Sequence, residues 1–398
     1  MKEFPLPAGM SAETFLSDYW QKKPLLIKAA FPAFKTPLLP DEIAGMACEA
    51  GIESRLIIEN SGIGRAANDD AAPWQLRHGS FDESLFSELP ESHWTLLIQE
   101  VHQYVPLLAQ LLESFRFIPN WRIDDMMVSY SPVGGSVGPH VDQYDVFLLQ
   151  GLGRKRWQIS TAEVNEADLI EGIDLQILAH FEAEQSWELE VGDMLYLPPG
   201  VTHHGVALEE SLTYSIGFRA PVERDLITSF VDYLAEERLP TRHYRDPDLV
   251  LQQHPGEISA ASLQHVRNII KQMPVSDQDI ARWFGQVVTA SKSGDDAEPQ
   301  RQPMSVDAFL SRFQQGEKLW RCELSRFACT AEGASMLLFV AGRIEPLAGA
   351  TNAAVYQLCD QREHSAEAWG GLLRSNENGA LLCRLYNDGH LYFENDQD

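Results

Sequence analysis

The chain has 398 residues, 44% of them apolar, and sets 31 Lys and Arg against 58 Asp and Glu for a net charge of −27. That length is too great for one small core and points to two or three domains, while the acidity excludes general nucleic-acid binding, which needs Lys and Arg against phosphate. No apolar run of about 18 residues occurs, so no transmembrane helix is expected, and Met1-Lys2-Glu3-Phe4-Pro5 lacks the apolar centre of a signal peptide.

In chain order, Met126 to Ser131 reads as a strand, and Pro132 to Gly138 as a loop whose Gly134, Gly135 and Gly138 permit tight turning. Val141 to Gln150 runs mostly apolar and reads as a second strand, Gly151-Leu152-Gly153 as a turn, and Lys155 to Ile159 as a third strand. Trp187 to Val191 alternates before a Gly192-Asp193 turn. Met194 to Leu197 is another short strand, stopped by Pro198 and Pro199, and Leu212 to Phe218 is one more. Many short strands with Gly and Pro turns argue for a sandwich or barrel.

After residue 223 the period changes. Leu226, Ile227, Phe230, Val231 and Leu234 form an apolar face at helical spacing within Arg224 to Arg238; Leu263, Val266, Ile269, Ile270 and Met273 repeat it up to Pro274. Ser276 is placed to cap a third helix bearing Ile280, Phe284, Val287 and Val288. Three such helices make a small bundle. Residues 291–300 are a polar linker. From 301 onward, Val306 to Phe313 reads as a helix, Ser335 to Val340 and Leu381 to Tyr386 as strands, and Asn387-Asp388-Gly389 as a turn before Leu391-Tyr392-Phe393. The expected division is 1–223, 224–290, 291–300 and 301–398. Cys48, Cys322, Cys329, Cys359 and Cys383 are odd in number and scattered, which reads as reduced thiols in a cytoplasm rather than a disulfide frame.

The chemistry lies in His140-Val141-Asp142 and in His203, some sixty residues later. Residues i and i+2 of a strand share a face, so His140 and Asp142 can grip one ion while His203 closes the site from a neighbouring strand. Two imidazoles and one carboxylate leave about three positions of an octahedral metal open, the facial triad of non-heme Fe(II) oxygenases. His204 competes with His203, but adjacent strand residues face opposite ways and only one can point inward. Zinc is the alternative metal; its sites favour His and Cys in tetrahedral closure, and the sequence has no CxxC.

Gly192, Pro198, Gly200 and His203 resemble the second cupin motif, and Gly138 to Phe147 resembles the JmjC-type 2-oxoglutarate oxygenases. More narrowly, Phe15, Tyr19 to Pro24, and Tyr214 to Pro221 resemble the bacterial ribosomal oxygenases, which hydroxylate an arginine side chain of large-subunit ribosomal protein 16. The resemblance implies a double-stranded β-helix, the cupin or JmjC barrel, followed by a helical dimerisation region and a C-terminal winged-helix-like α+β module. It implies Fe(II) on His140, Asp142 and His203, with 2-oxoglutarate and dioxygen as cosubstrates. Lys155 matches the base that holds the distal carboxylate of 2-oxoglutarate; relatives often carry Arg there, which grips a carboxylate bidentately where Lys is a point charge. Arg154 and Arg156 flank it, but alternation turns both to the opposite face. Ser131 adds a hydroxyl to that carboxylate by family position. Tyr130 and Tyr144 line the pocket or pack in the core.

The reading is a cytoplasmic, homodimeric protein hydroxylase with a basic ribosomal protein, large-subunit protein 16, as substrate and with no nucleic-acid or membrane partner. The acidity suits a basic partner, since opposite charge steers encounter, although solubility alone also accounts for it. The alternatives are hydroxylation of a histidine in another ribosomal protein, and a non-catalytic metal-binding cupin that acts through interaction.

Overall fold

In the computed structural model, residues 5–60, 73–291 and 296–396 are described, and the chain divides into two units, Met1–Ala220 and Pro221–Asp398. Met1 to Phe4, and Lys292 to Asp295 in the expected linker, lie outside the described residues.

The first unit opens with α1 (Ala12–Asp18), β1 (Leu25–Ile27), α2 (Pro40–Cys48), β2 (Ser54–Glu59), β3 (Trp74–His78), α3 (Ser84–Glu88), β4 (Trp94–Ile98) and α4 (Pro106–Leu112). It continues with β5 (Ile123–Ser131), β6 (His140–Val141), β7 (Val146–Leu152), β8 (Lys155–Ser160), β9 (Gln185–Leu189), β10 (Met194–Leu197), β11 (Thr202–Ala207) and β12 (Ser211–Phe218). These strands form an antiparallel eight-stranded sheet in the order β1-β10-β7-β12-β5-β4-β2-β3 and a four-stranded sheet in the order β6-β11-β8-β9.

Side-chain alternation gives the large sheet two different faces. Met126 and Val128 of β5, Phe147 and Leu149 of β7, and Leu212, Tyr214, Ile216 and Phe218 of β12 pack outward against Phe15 of α1, Ile43 of α2 and Leu108 of α4. A fully buried side chain of this size stabilises by about 1.5–3 kcal/mol, so a one-residue slip of β5 would reverse its whole core face. The opposite parity points inward: Asp125, Met127 and Ser129 of β5, Val146 and Leu148 of β7, and Ser215 and Gly217 of β12 line a cavity. Val146, Leu148, Leu195 and Leu197 of the large sheet also meet Trp157, Ile159 and Leu189 of the small one in an apolar layer. Two sheets closed over one cavity are the double-stranded β-helix expected from the sequence.

The strand expected over Val141 to Gln150 is interrupted. β6 ends at Val141, the chain crosses between sheets through Asp142 to Asp145, and β7 begins at Val146. Asp145 explains the break. It is fully buried and accepts hydrogen bonds from Tyr196 Oη (2.6 Å), Gln21 Nε2 (2.8 Å) and Arg122 Nη2 (3.3 Å). A buried carboxylate needs such partners, and they hold the crossing in place.

In the second unit the three expected helices are present: α5 (Glu223–Glu237), α6 (Ala260–Lys271) and α7 (Asp277–Thr289). Ser276 caps α7, its side chain accepting from Asp279 N. Trp283 of α7 packs against Phe230 of α5 at 5.1 Å between ring centroids and donates from Nε1 to Ser229 Oγ at 3.1 Å. α6 buries no residue. The remainder comprises α8 (Val306–Gln314), β13 (Leu319–Arg321), β14 (Phe327–Glu332), β15 (Ser335–Val340), β16 (Arg343–Glu345), α9 (Asn352–Asp360), β17 (Glu363–His364), α10 (Ala366–Trp369), α11 (Asn376–Asn387) and β18 (Leu391–Phe393). α7 also contacts this α+β part: Arg282 pairs with Glu332 of β14, and a Cβ on Gly285 would stand 2.3 Å from the Phe339 ring of β15.

Leu381 to Tyr386 is helical, not the strand expected: it lies within α11. Leu381, Leu382, Leu385 and Tyr386 are all buried, and their i, i+1, i+4, i+5 spacing is helical; Ser375 supplies the cap. The last strand therefore follows a helix and a turn rather than closing a hairpin, and β18 pairs with β13.

Candidate metal centre

β6 and β11 are antiparallel neighbours with His140 opposite His203, so the two imidazoles approach to 4.2 Å between ring centroids. Asp142, the first residue after β6, is held by the Pro198-Pro199-Gly200 turn: Gly200 N donates to its carbonyl at 2.8 Å. The ligand atoms of His140, Asp142 and His203 lie within 4.8 Å of one another. Asp142 Oδ1 is 3.9 Å from His140 Nε2, and Oδ2 is 3.6 Å from His203 Nε2.

The backbone sets both tautomers. His140 Nδ1 donates to the Gly138 carbonyl at 3.0 Å and His203 Nδ1 to the Val201 carbonyl at 3.1 Å. A carbonyl only accepts, so each Nδ1 carries its proton and each Nε2 turns a lone pair toward the shared space, the arrangement of a metal-bound histidine. Burial, and next His140, push His203 well below the usual imidazole range, which keeps it neutral and ready to bind a cation. Burial pushes the Asp142 carboxyl up; His140 and a hydrogen bond from Tyr144 oppose this. One buried and two half-buried donors converge on one point with second hydrogen bonds to fix them. The donor set fits a divalent transition metal with open positions.

His204 faces the other way. Its ring meets Phe181 edge-on at 5.9 Å, and burial pushes it down to about 4. The convergent set contains His203 and not His204.

The centre opens into a cavity of about 380 Å³. Lys155, the first residue of β8, lines it and is 3% exposed. Burial alone lowers its ammonium to about 8, and no ion pair to a carboxylate is formed among the described residues. Arg154 and Arg156 lie outside, paired with Glu209 and Glu188. Gly205 of β11 makes the room for Lys155: a Cβ there would stand 2.7 Å from the Trp157 ring and 2.9 Å from Lys155 Cε.

Ser131 is fully buried and its hydroxyl is 2.9 Å from Thr95 Oγ1; it is not among the described cavity-lining residues, whereas Ser129, two residues earlier, is. Tyr144 lines the cavity. Tyr130 instead donates to Glu210 at 2.8 Å and packs on Trp94. Sequence reasoning missed Arg55, Gln99, Asp125 and Gln176, all cavity-lining. With its amide oriented to satisfy both neighbours, Gln99 donates to Asp125 Oδ2 at 3.3 Å and accepts from Arg55. The parity of β5 carried a signal for Asp125, since it shares a face with Met127 and Ser129. For Arg55, Gln99 and Gln176, nothing in the local pattern marks the cavity.

The barrel and its His-Asp-His centre define a JmjC-type oxygenase. Residues 110–226 match the JmjC domain family, and residues 264–392 match the ROXA-like winged helix. The chain belongs to the ribosomal oxygenases of this class. It is 35% identical over 380 residues to the ribosomal protein uL16 3-hydroxylase of Escherichia coli strain K12, covering 96% of this chain and 97% of that protein. The crystal structure of Escherichia coli YcfD superposes with a TM-score of 0.82 at 35% identity, over 97% of this chain and 99% of that one. The same relative, described as a ribosomal oxygenase in complex with cobalt and 2-oxoglutarate, superposes with a TM-score of 0.79 at 34% identity over 98% and 99% of the chains.

Proposed function

We propose that this chain is an Fe(II)- and 2-oxoglutarate-dependent hydroxylase that acts on an arginine side chain of ribosomal protein uL16. The observation that carries the reading is the convergence of His140, Asp142 and His203 within 4.8 Å at a cavity whose lining also holds a buried Lys155 with no carboxylate partner among the described residues. Iron with 2-oxoglutarate and dioxygen supplies oxidation of an unactivated C–H bond, with release of succinate and carbon dioxide. The chain's own residues position the reactants. His140 Nε2, His203 Nε2 and Asp142 hold the metal, and Lys155 pairs with the distal carboxylate of the oxoacid. Ser131 shares the inward parity of Ser129 on β5 but lies behind the lining; its role at that carboxylate rests on family position and requires that Thr95 donate to its oxygen, which frees its own proton. Apolar Leu97, Met127 and Leu148 exclude water around the reacting carbon.

The cavity also suits the target. A guanidinium needs a carboxylate that is not a metal ligand; Asp125, beside Tyr144, and Asp174 both stand in the wall. From Trp157 to Phe218 the chain has 12 Asp and Glu and no Lys or Arg, a field that draws a basic polypeptide. The helical region 224–290 is proposed to form a homodimer. Leu263, Val266, Ile269 and Ile270 of α6 are 54%, 44%, 50% and 59% exposed, a stripe that a second copy would cover. No described helix is long and apolar enough to cross a membrane, and all five cysteines are free, which supports work in the cytoplasm. Incubating large-subunit ribosomal proteins with the enzyme, Fe(II) and 2-oxoglutarate, then mapping peptides by mass, tests the reading. One added oxygen on an arginine of uL16 is expected; the same gain on a histidine of another protein would replace the substrate.

A further inference from the structure

Trp157 stands two residues after Lys155 on β8, so both side chains leave the same face of the strand. Both line the metal-bearing cavity, and Lys155 Nζ lies 5.1 Å from the Trp157 ring centroid. The ring is itself 5.9 Å from that of His203. Trp157 is 5% exposed, yet its Nε1 is buried without a hydrogen-bond partner. An indole nitrogen donates only, and buried donors are rarely left unpaired; the described residues supply this one with no acceptor, and the cavity it shares with Lys155 is where a ligand could bring one.

The chemistry beside it says what that acceptor is. A carboxylate has two oxygens and about four lone-pair positions. An arginine at position 155 would satisfy both oxygens with parallel N–H bonds, but a lysine ammonium is a compact point charge and leaves acceptor capacity over. We propose that Trp157 Nε1–H is a second donor to the distal carboxylate of the oxoacid cosubstrate, working beside Lys155 as a two-residue substitute for one guanidinium. This rests on the 2-oxoglutarate reading above. Gly205 is part of the device, because any Cβ there would displace both the Trp157 ring and the Lys155 stem. Trp157 is thus a specificity-determining residue for a five-carbon dicarboxylic oxoacid over a monocarboxylic one.

The test is binding without oxygen to the full chain loaded with cobalt, by titration calorimetry, for the wild type and Trp157→Phe. 2-Oxoglutarate and pyruvate, an oxoacid with no distal carboxylate, are compared. Phenylalanine keeps a ring beside Lys155 and removes the donor together with the pyrrole half of the indole; pyruvate controls for that lost volume. The 2-oxoglutarate Kd is expected to rise roughly ten- to hundredfold, the loss of one hydrogen bond to a charged group, with pyruvate unchanged. An unchanged 2-oxoglutarate Kd, or an equal loss for both ligands, would overturn the inference. A wild type that binds no 2-oxoglutarate would overturn the cosubstrate reading instead, and this inference with it. A second measurement does not need a folded variant. In wild-type protein labelled with ¹⁵N at its nine tryptophan indoles and loaded with zinc, one exchange-protected indole resonance is expected to move to lower field with 2-oxoglutarate and not with pyruvate. Indole resonances that respond alike to both ligands would contradict it.

Discussion

His203 and Asp142 face each other across 3.6 Å, Nε2 to Oδ2. That is too long for a hydrogen bond and close to the spacing of two ligands on one ion, since donors each about 2.1 Å from a metal at right angles stand roughly 3 Å apart. The backbone enforces the spacing: Val201 fixes the His203 ring and Gly200 holds the Asp142 carbonyl. The site is built to close slightly around an ion rather than to be assembled by it.

His203→Ala is therefore expected to lower metal affinity by more than roughly a hundredfold, a greater loss than removal of an outer partner causes. His204→Ala is expected to bind metal nearly as the wild type does. Cobalt titration of the two purified variants separates them, and an exchange of their behaviours would assign the metal to His204.

The Lys155 ammonium, lowered to about 8 by burial, makes cosubstrate binding pH-dependent. Only the charged form pairs with a carboxylate. Below pH 8 the free enzyme already carries the proton; above it the proton must be taken up on binding, and affinity falls by about tenfold per pH unit. The KM for 2-oxoglutarate is expected to be level from pH 6.5 to about 7.5 and to climb above pH 8. Arginine stays charged throughout, so Lys155→Arg should flatten the rise. An equally steep rise in that variant would assign the titration elsewhere.

The metal centre was legible in the sequence because its ligands sit in local patterns: an i, i+2 pair beside a strand, and a Pro-x-Gly turn before His203. The parity rule that turned His203 inward and Arg154 and Arg156 outward held wherever the strand was regular. It failed at Val141 to Gln150, where the tertiary demand of buried Asp145 broke the run, and at Leu381 to Tyr386, where a short apolar run served a helix. Asp125 shares a face with Ser129, yet only the closure of the two sheets makes that face a cavity wall. Arg55 and Gln99 come from β2 and from just after β4, strands that the sequence reading did not identify.

Asp125→Asn is expected to raise the KM for the uL16 polypeptide by about thirtyfold or more, the cost of truncating one partner of a buried charged pair. The KM for 2-oxoglutarate should stay within about twofold. A parallel rise in both would make Asp125 a support of the metal centre, acting through Tyr144, rather than a substrate contact.

The exposed stripe of α6 is expected to be the dimer interface. Ile269→Glu or Ile270→Glu should shift the light-scattering mass from dimer to monomer across a micromolar dilution series, since a desolvated, unpaired charge at a packed interface costs several kcal/mol. A wild type that is already monomeric, or variants that stay dimeric, would remove the assignment.

The most direct measurement of the central claim follows the oxygen atom. The protein, Fe(II), 2-oxoglutarate and uL16 are incubated under ¹⁸O-labelled dioxygen, and the modified arginine peptide is weighed. One ¹⁸O atom in the arginine side chain is expected, formed only when 2-oxoglutarate is present and lost in Asp142→Ala. An arginine left unmodified while the wild type binds metal and cosubstrate, or an oxygen gained equally in the Asp142→Ala variant, would contradict the account.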